Sequence, residues 1–257
     1  LNALIKHWQG SGIQIWTTQE AILFPVAHQS RYVLGSGSTD KALGPYVQTA
    51  LSADAAALAS TITVDSIVGI ATTYTIGVML DDDTIQWTTV NGAPSGSTVT
   101  LTAVLTGAAS ANNTVFVAAA STLVRPLKII SARSYNLESG IDTPIEEMDR
   151  VEYQEMPNKA SEGSINGYYY DRRGGADQTG LLHLWQTPAD ASEAVKMTVA
   201  RPIQIFTVAG DDAELPEEWI RTIEWNLADE IADEYDVPEP KRTKIERRAA
   251  QFLNEAN

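Results

Sequence analysis

In Tyr74-Thr75-Ile76-Gly77-Val78-Met79-Leu80, Tyr74, Ile76, Val78 and Leu80 recur at every second position and alternate with threonine and glycine up to Val78. Period two is the repeat of a strand with one face buried. Working outward, Ile62 and Val64 alternate with Thr61 and Thr63. Ile85 and Trp87 follow; Val99, Leu101, Ala103 and Leu105 alternate next, and Val115 and Val117 close the set. Asn91-Gly92 is a hairpin turn signal, lengthened by Ala93-Pro94-Ser95-Gly96. Lysine, arginine and histidine are absent from about 60 to 120. Five short strands with turns between them predict a small all-β module at 52–120, a sandwich or barrel.

On either side the pattern changes. Leu1, Leu4, Ile5 and Trp8 have helical spacing, and Gly10 and Gly12 stop it. This start has no methionine and no basic stretch followed by an apolar one, so the chain is expected to begin upstream, without a signal peptide here. Ile13 to Trp16, Ala21 to Val26 and Ser30 to Leu34 read as strands, as do Leu123 to Ser134, Tyr168 to Tyr170, Leu181 to Trp185 and Val195 to Phe206. Thr143-Pro144-Ile145-Glu146 predicts a helix start, with Thr143 as N-cap and Glu146 completing a capping box. Near the C-terminus Leu215, Trp219, Ile223, Leu227, Ile231 and Tyr235 recur every four residues. They predict a helix over 214–236 with one buried stripe. Val237-Pro238 ends it, and a second helix is predicted over 240–254, burying Ile245, Ala249, Phe252 and Leu253. The expectation is an α+β fold: a helical core with a C-terminal helical hairpin and several core strands, from residues 1–51 and 121–257, and the β module at 52–120 inserted.

Charge narrows the function. Eighteen Lys and Arg against 33 Asp and Glu leave a net charge of −15. Tight nucleic-acid binding draws on clustered cations that neutralise phosphates. An acidic surface instead repels DNA, which suits a conduit through which DNA slides, and it also keeps a protein soluble. No cysteine is present, which removes disulfides, thiolate nucleophiles and zinc fingers. No run of about twenty apolar residues occurs, so no transmembrane helix is predicted.

The charges are sorted by helix. The first C-terminal helix carries Glu217, Glu218, Glu224, Asp229, Glu230, Asp233, Glu234 and Asp236 against Arg221. Acids at a helix C-terminus oppose the dipole by a few tenths of a kcal/mol each, so another pressure places Asp233, Glu234 and Asp236 there. The second helix opens with Lys241, Arg242, Lys244, Arg247 and Arg248, the one strongly basic run. Glu224, Asp229, Glu230, Asp233 and Glu234 are candidates for an acidic channel wall or for a seam that meets a basic partner. A solvated hairpin whose charges screen one another explains the pattern equally.

Catalytic and metal motifs are missing. His7, His28 and His183 lack a second histidine at ligand spacing and read as packing or surface residues. Asp81-Asp82-Asp83 lacks calcium-loop spacing and reads as a hairpin turn. There is no nucleophile elbow, phosphate loop or dinucleotide fingerprint. No catalytic residue, cofactor or metal is predicted, and the chain is not expected to be an enzyme.

Four stretches together resemble one family. Leu1-Asn2-Ala3-Leu4-Ile5-Lys6-His7-Trp8-Gln9-Gly10-Ser11-Gly12, followed by Ile15-Trp16-Thr17, is similar to a helix end and strand of the head-to-tail adaptors of short-tailed bacteriophages, also called tail accessory factors or connectors. Arg125-Pro126-Leu127-Lys128-Ile129-Ile130-Ser131-Ala132-Arg133 resembles the strand that follows in that family. Met156-Pro157-Asn158-Lys159, with Gly163 and Tyr168-Tyr169-Tyr170-Asp171, resembles the central loop and strand. Leu215-Pro216-Glu217-Glu218-Trp219, with Asn226-Leu227-Ala228-Asp229-Glu230, resembles the C-terminal helix. The resemblance spans most of the chain outside about 52–120.

It implies a structural virion protein assembled in the bacterial host cytoplasm. It implies a homo-oligomeric ring, usually of twelve copies, between the portal protein and a tail nozzle or hub, with DNA passing through unbound. The family's C-terminal segment docks on the portal, which by carry-over assigns that contact to Lys241, Arg242, Lys244, Arg247, Arg248, Phe252 and Leu253. A binding module whose β insertion grips a glycan or another virion protein, and a cell-wall hydrolase, are the competing readings.

Overall fold

The computed structural model describes residues 1–10, 16–119, 123–173, 179–203, 219–232 and 234–256. They form two compact units: Thr18–Arg201, and Leu1–Thr17 with Pro202–Asn257.

The architecture corrects the expected helical core: the protein is mostly β, 38 % strand against 19 % helix, around a nearly closed, barrel-like sheet. In chain order the strands are β1 (Trp16–Leu23), β2 (Arg31–Leu34), β3 (Ala42–Leu43), β4 (Tyr46–Ala50), β5 (Thr61–Thr63), β6 (Thr75–Met79), β7 (Ile85–Thr89), β8 (Thr98–Thr100) and β9 (Thr114–Ala118). Then follow β10 (Lys128–Asn136), β11 (Asp142–Glu147), β12 (Gly167–Asp171), β13 (Gly180–Trp185) and β14 (Glu193–Pro202). Eight of them make one sheet in the order β2-β13-β12-β11-β10-β14-β1-β3. Strands read singly from the sequence therefore share one ladder, and its interior replaces the helical core. Leu23, Tyr32, Leu34, Tyr168, Leu182, Leu184, Val195, Met197 and Val199 pack there. Tyr32 is fully buried, and its hydroxyl donates to the Gln29 carbonyl at 2.6 Å. Burial pushes the pKa of that hydroxyl up to about 12.

The predicted helix start at Thr143 is a strand. Residues 142–145 of β11 pair antiparallel with β10, Pro144 opposite Arg133. The neighbour on the other side, β12, reaches only Glu146 and Glu147, so Pro144 owes no N–H to a second partner. The helix that exists starts later, α2 (Arg150–Glu155). Asp149 Oδ1 accepts from the Glu152 N–H, and Glu152 Oε2 accepts from the Asp149 N–H, both at 2.8 Å, a complete capping box.

Strands β4-β9-β6-β7 form a second sheet and β5-β8 a third. Ile62, Val64, Val99 and Leu101 pack against Ile76, Val78, Val115 and Val117. The other face of β6 and β9 is buried as well. Met79, Phe116 and Ala118 pack with Ile22, Phe24, Leu43, Tyr135, Leu137 and Ala194 of the large sheet and its loops. Phe24 meets Phe116 and Trp87 edge-on, each with ring centres 4.8 Å apart. The two families of strands thus share a core.

The other unit is helical: α1 (Asn2–Gly10), α3 (Trp219–Ile231) and α4 (Glu239–Ala256). Leu4, Trp8, Ile203 and Trp219 form its buried centre, with Ile223, Leu227 and Leu253 packed around them. The predicted strand at Ile13 to Trp16 and the end of the one predicted to reach Phe206 lie largely outside the described residues. Among the described residues no helix is long and apolar enough to cross a membrane.

Candidate partner surface on the helical hairpin

Helices α3 and α4 are joined by a short reversal. Asp236 takes a left-handed φ of 50°, and the Val237 N–H donates back to the Ala232 carbonyl at 3.2 Å. The two helices are tied by polar groups where they approach. Asn226 Nδ2 donates to the Thr222 carbonyl at 2.8 Å and across to the Ala249 carbonyl at 3.2 Å. Thr222 Oγ1 donates to the Phe252 carbonyl at 3.2 Å. Ala249 is buried, and its small side chain is what lets the backbones come this close.

The seven residues expected to face a portal separate into two groups. Phe252 stacks on Trp225 with ring centres 6.4 Å apart, and Leu253 packs on the core of its own unit. The Arg248 guanidinium lies 4.8 Å over the Trp225 ring, and Arg242 pairs with Glu246 at 3.2 Å. Lys241, Lys244 and Arg247 are exposed and have no ion-pair partner among the described residues.

The acids separate too. Glu224, Glu230 and Glu234 are exposed and without an ion-pair partner among the described residues; Asp229 is half-buried and engaged; Asp233 lies outside the described residues. The apolar stripe departs from its single buried face. Trp219 is buried and Ile223 and Leu227 are half-buried, but Ile231 is 39 % exposed and Tyr235 73 %. Helix α3 ends at Ile231, so Tyr235 falls in the reversal rather than on the stripe. Leu215 lies outside the described residues. Ile220, which lies beside the stripe, is 51 % exposed. With Glu224, Leu227 and Ile231 it forms a second line at steps of four, three and four, which the sequence already carried.

The remaining features are structural. Tyr169 stacks on Tyr153 and on His183, and Tyr153 meets His183 at a tilt, with ring centres 5.0 to 5.7 Å apart. Burial, then the positive charge of Arg31, lowers the His183 pKa, so the ring packs as a neutral aromatic. His28 Nδ1 sits 2.8 Å from Glu162 Oε1 on the surface. The three aspartates make the β6–β7 turn. Asp81 Oδ1 accepts from the Ser110 N–H at 2.7 Å and from Asn113 Nδ2 at 2.9 Å, bonds that hold its carboxyl below the usual range. Among the described residues no cluster of His, Asp or Glu could hold a metal ion. The end of β12 meets the segment that leads into β10. Tyr170 Oη donates to the Pro126 carbonyl at 2.8 Å, and an Arg172 guanidinium N–H donates to the Leu127 carbonyl at 2.7 Å.

No known protein family, characterised protein or solved structure matches this chain.

Proposed function

We propose that this protein is a structural, non-catalytic subunit of a bacteriophage neck, an adaptor that forms a ring between the portal protein and the tail and surrounds the DNA exit path. The observation that carries this reading is the hairpin. Among the described residues Lys241, Lys244 and Arg247 on α4 have no ion-pair partner, nor do Glu224 and Glu230 on α3 and Glu234 in the reversal between the helices. Opposite charges left open on adjacent helices suit a part whose surfaces are completed by assembly. The rest of the reading leans on the four sequence stretches that resemble the adaptor family. The net charge of −15 adds to it, because an acidic wall lets a polyanion slide past instead of holding it.

Native mass spectrometry of portal rings, with and without this protein, tests the proposal. Portal rings of the same phage should gain mass in multiples of 27.8 kDa at physiological salt. A portal that gains no such mass overturns it.

A further inference from the structure

We propose that the α4 bases seat on α3 of a second copy of this chain, so that the seam between copies runs from the Lys241–Lys244–Arg247 side of one hairpin to the Ile220–Glu224–Leu227–Ile231 line of the next. The inference rests on the adaptor reading for its setting and on the hairpin alone for its geometry.

Helix α3 has two lines of side chains at helical spacing. One, through Trp219, Thr222 and Asn226, is used within the unit, against α1 and α4. The other, Ile220, Glu224, Leu227 and Ile231, runs the length of the helix at the i, i+4, i+7, i+11 spacing by which one helix receives another, with Leu227 half-buried against the unit's own core. Two of its three apolar members are left substantially in water. Glu224 sits in the middle of this line, and Glu230 and Glu234 are exposed toward its end.

The matching surface is on the same chain. Five of the eighteen Lys and Arg lie between 241 and 248. Arg242 and Arg248 are engaged inside the hairpin, while Lys241, Lys244 and Arg247, three residues apart, follow one side of α4. Their aliphatic stems can lie over Ile220 and Ile231 while their charged ends reach the glutamates, which is how long cationic side chains cover apolar surface. A donor surface and a different acceptor surface on one chain make a head-to-tail contact, and repetition of such a contact closes into a ring or runs into a filament.

Sedimentation velocity on the full-length chain alone, at low and high salt, tests this with two paired variants. Glu224→Lys with Glu230→Lys reverses the acceptor, and Lys244→Glu with Arg247→Glu reverses the donor. The wild type should self-associate at low salt and dissociate at high salt. Each double variant alone should associate at least tenfold more weakly, and an equimolar mixture of the two should recover association, because each then offers the other a complementary face. Recovery also shows that both variants are folded. A wild type that stays monomeric at low salt overturns the inference, as does a mixture that recovers nothing. If the donor variant instead loses only portal binding, the bases belong to the portal contact: the inference fails while the adaptor reading stands.

Discussion

A Cβ built on Gly77 would lie 2.5 Å from Cζ3 of Trp87, closer than real side chains approach. Moving the Trp87 ring aside would break its edge-on contact with Phe24 and its contact with the Lys41 ammonium, 5.1 Å from the ring centre. Gly77→Ala should therefore destabilise the protein by about 1–3 kcal/mol, the usual cost of overpacking a filled core. Gly167 is the contrasting site, since the atom in its way is the terminal methyl of Met148, at the end of a flexible side chain. Gly167→Ala should cost less than about 1 kcal/mol. Urea denaturation midpoints of the two variants check the order; an equal or reversed cost refutes this account of the packing. That Gly77 lies in a strand was legible from the alternation around it. That it makes room for Trp87 was not, because register decides which residue faces it, and Gly77 pairs with Trp87 across β6 and β7.

Among elements, α3 and α4 depend on a few polar links where an apolar stripe alone would have served. Asn226 Nδ2 spans from the Thr222 carbonyl to the Ala249 carbonyl. Removing it with Asn226→Ala leaves the Ala249 carbonyl without this donor and should cost about 1–2 kcal/mol. Hydrogen exchange should show the loss as faster exchange in the α3 and α4 amides, with β10 to β14 unchanged. A uniform change across both units would contradict a local role. The hairpin was legible because a four-residue repeat with a Val-Pro stop lies inside one window. The strand β11 was not legible: Thr143-Pro144-Ile145-Glu146 carries a helix-start pattern that pairing with β10 overrides, while the working box lies at Asp149 and Glu152. A local capping preference is worth about 1 kcal/mol, less than a strand's ladder bonds and the burial of Ile145 together.

For the whole molecule, the unit from Thr18 to Arg201 is one continuous piece of chain with its own cores, whereas the helical unit is assembled from both ends of the chain. A fragment spanning 18–201 should fold alone, with a β-type circular dichroism spectrum and one cooperative thermal transition. Two separate transitions, one for the large sheet and one for strands β4 to β9, would deny the shared core of Phe24, Phe116, Met79 and Tyr135.

Periodicity and charge order were determined by the sequence alone. Alternating residues marked strands between 60 and 120, a four-residue repeat marked the C-terminal helices, and acids and bases were already sorted onto successive helices. Each of these is a property of neighbours along the chain, read within a window of a few turns. Tertiary structure alone decided that the strands from 128 to 202 join β1, β2 and β3 in a single sheet, that β6 and β9 are buried on both faces, and which line of α3 is left in water. Those outcomes depend on partners far away along the chain, and only the pairing of distant segments says which apolar face is covered.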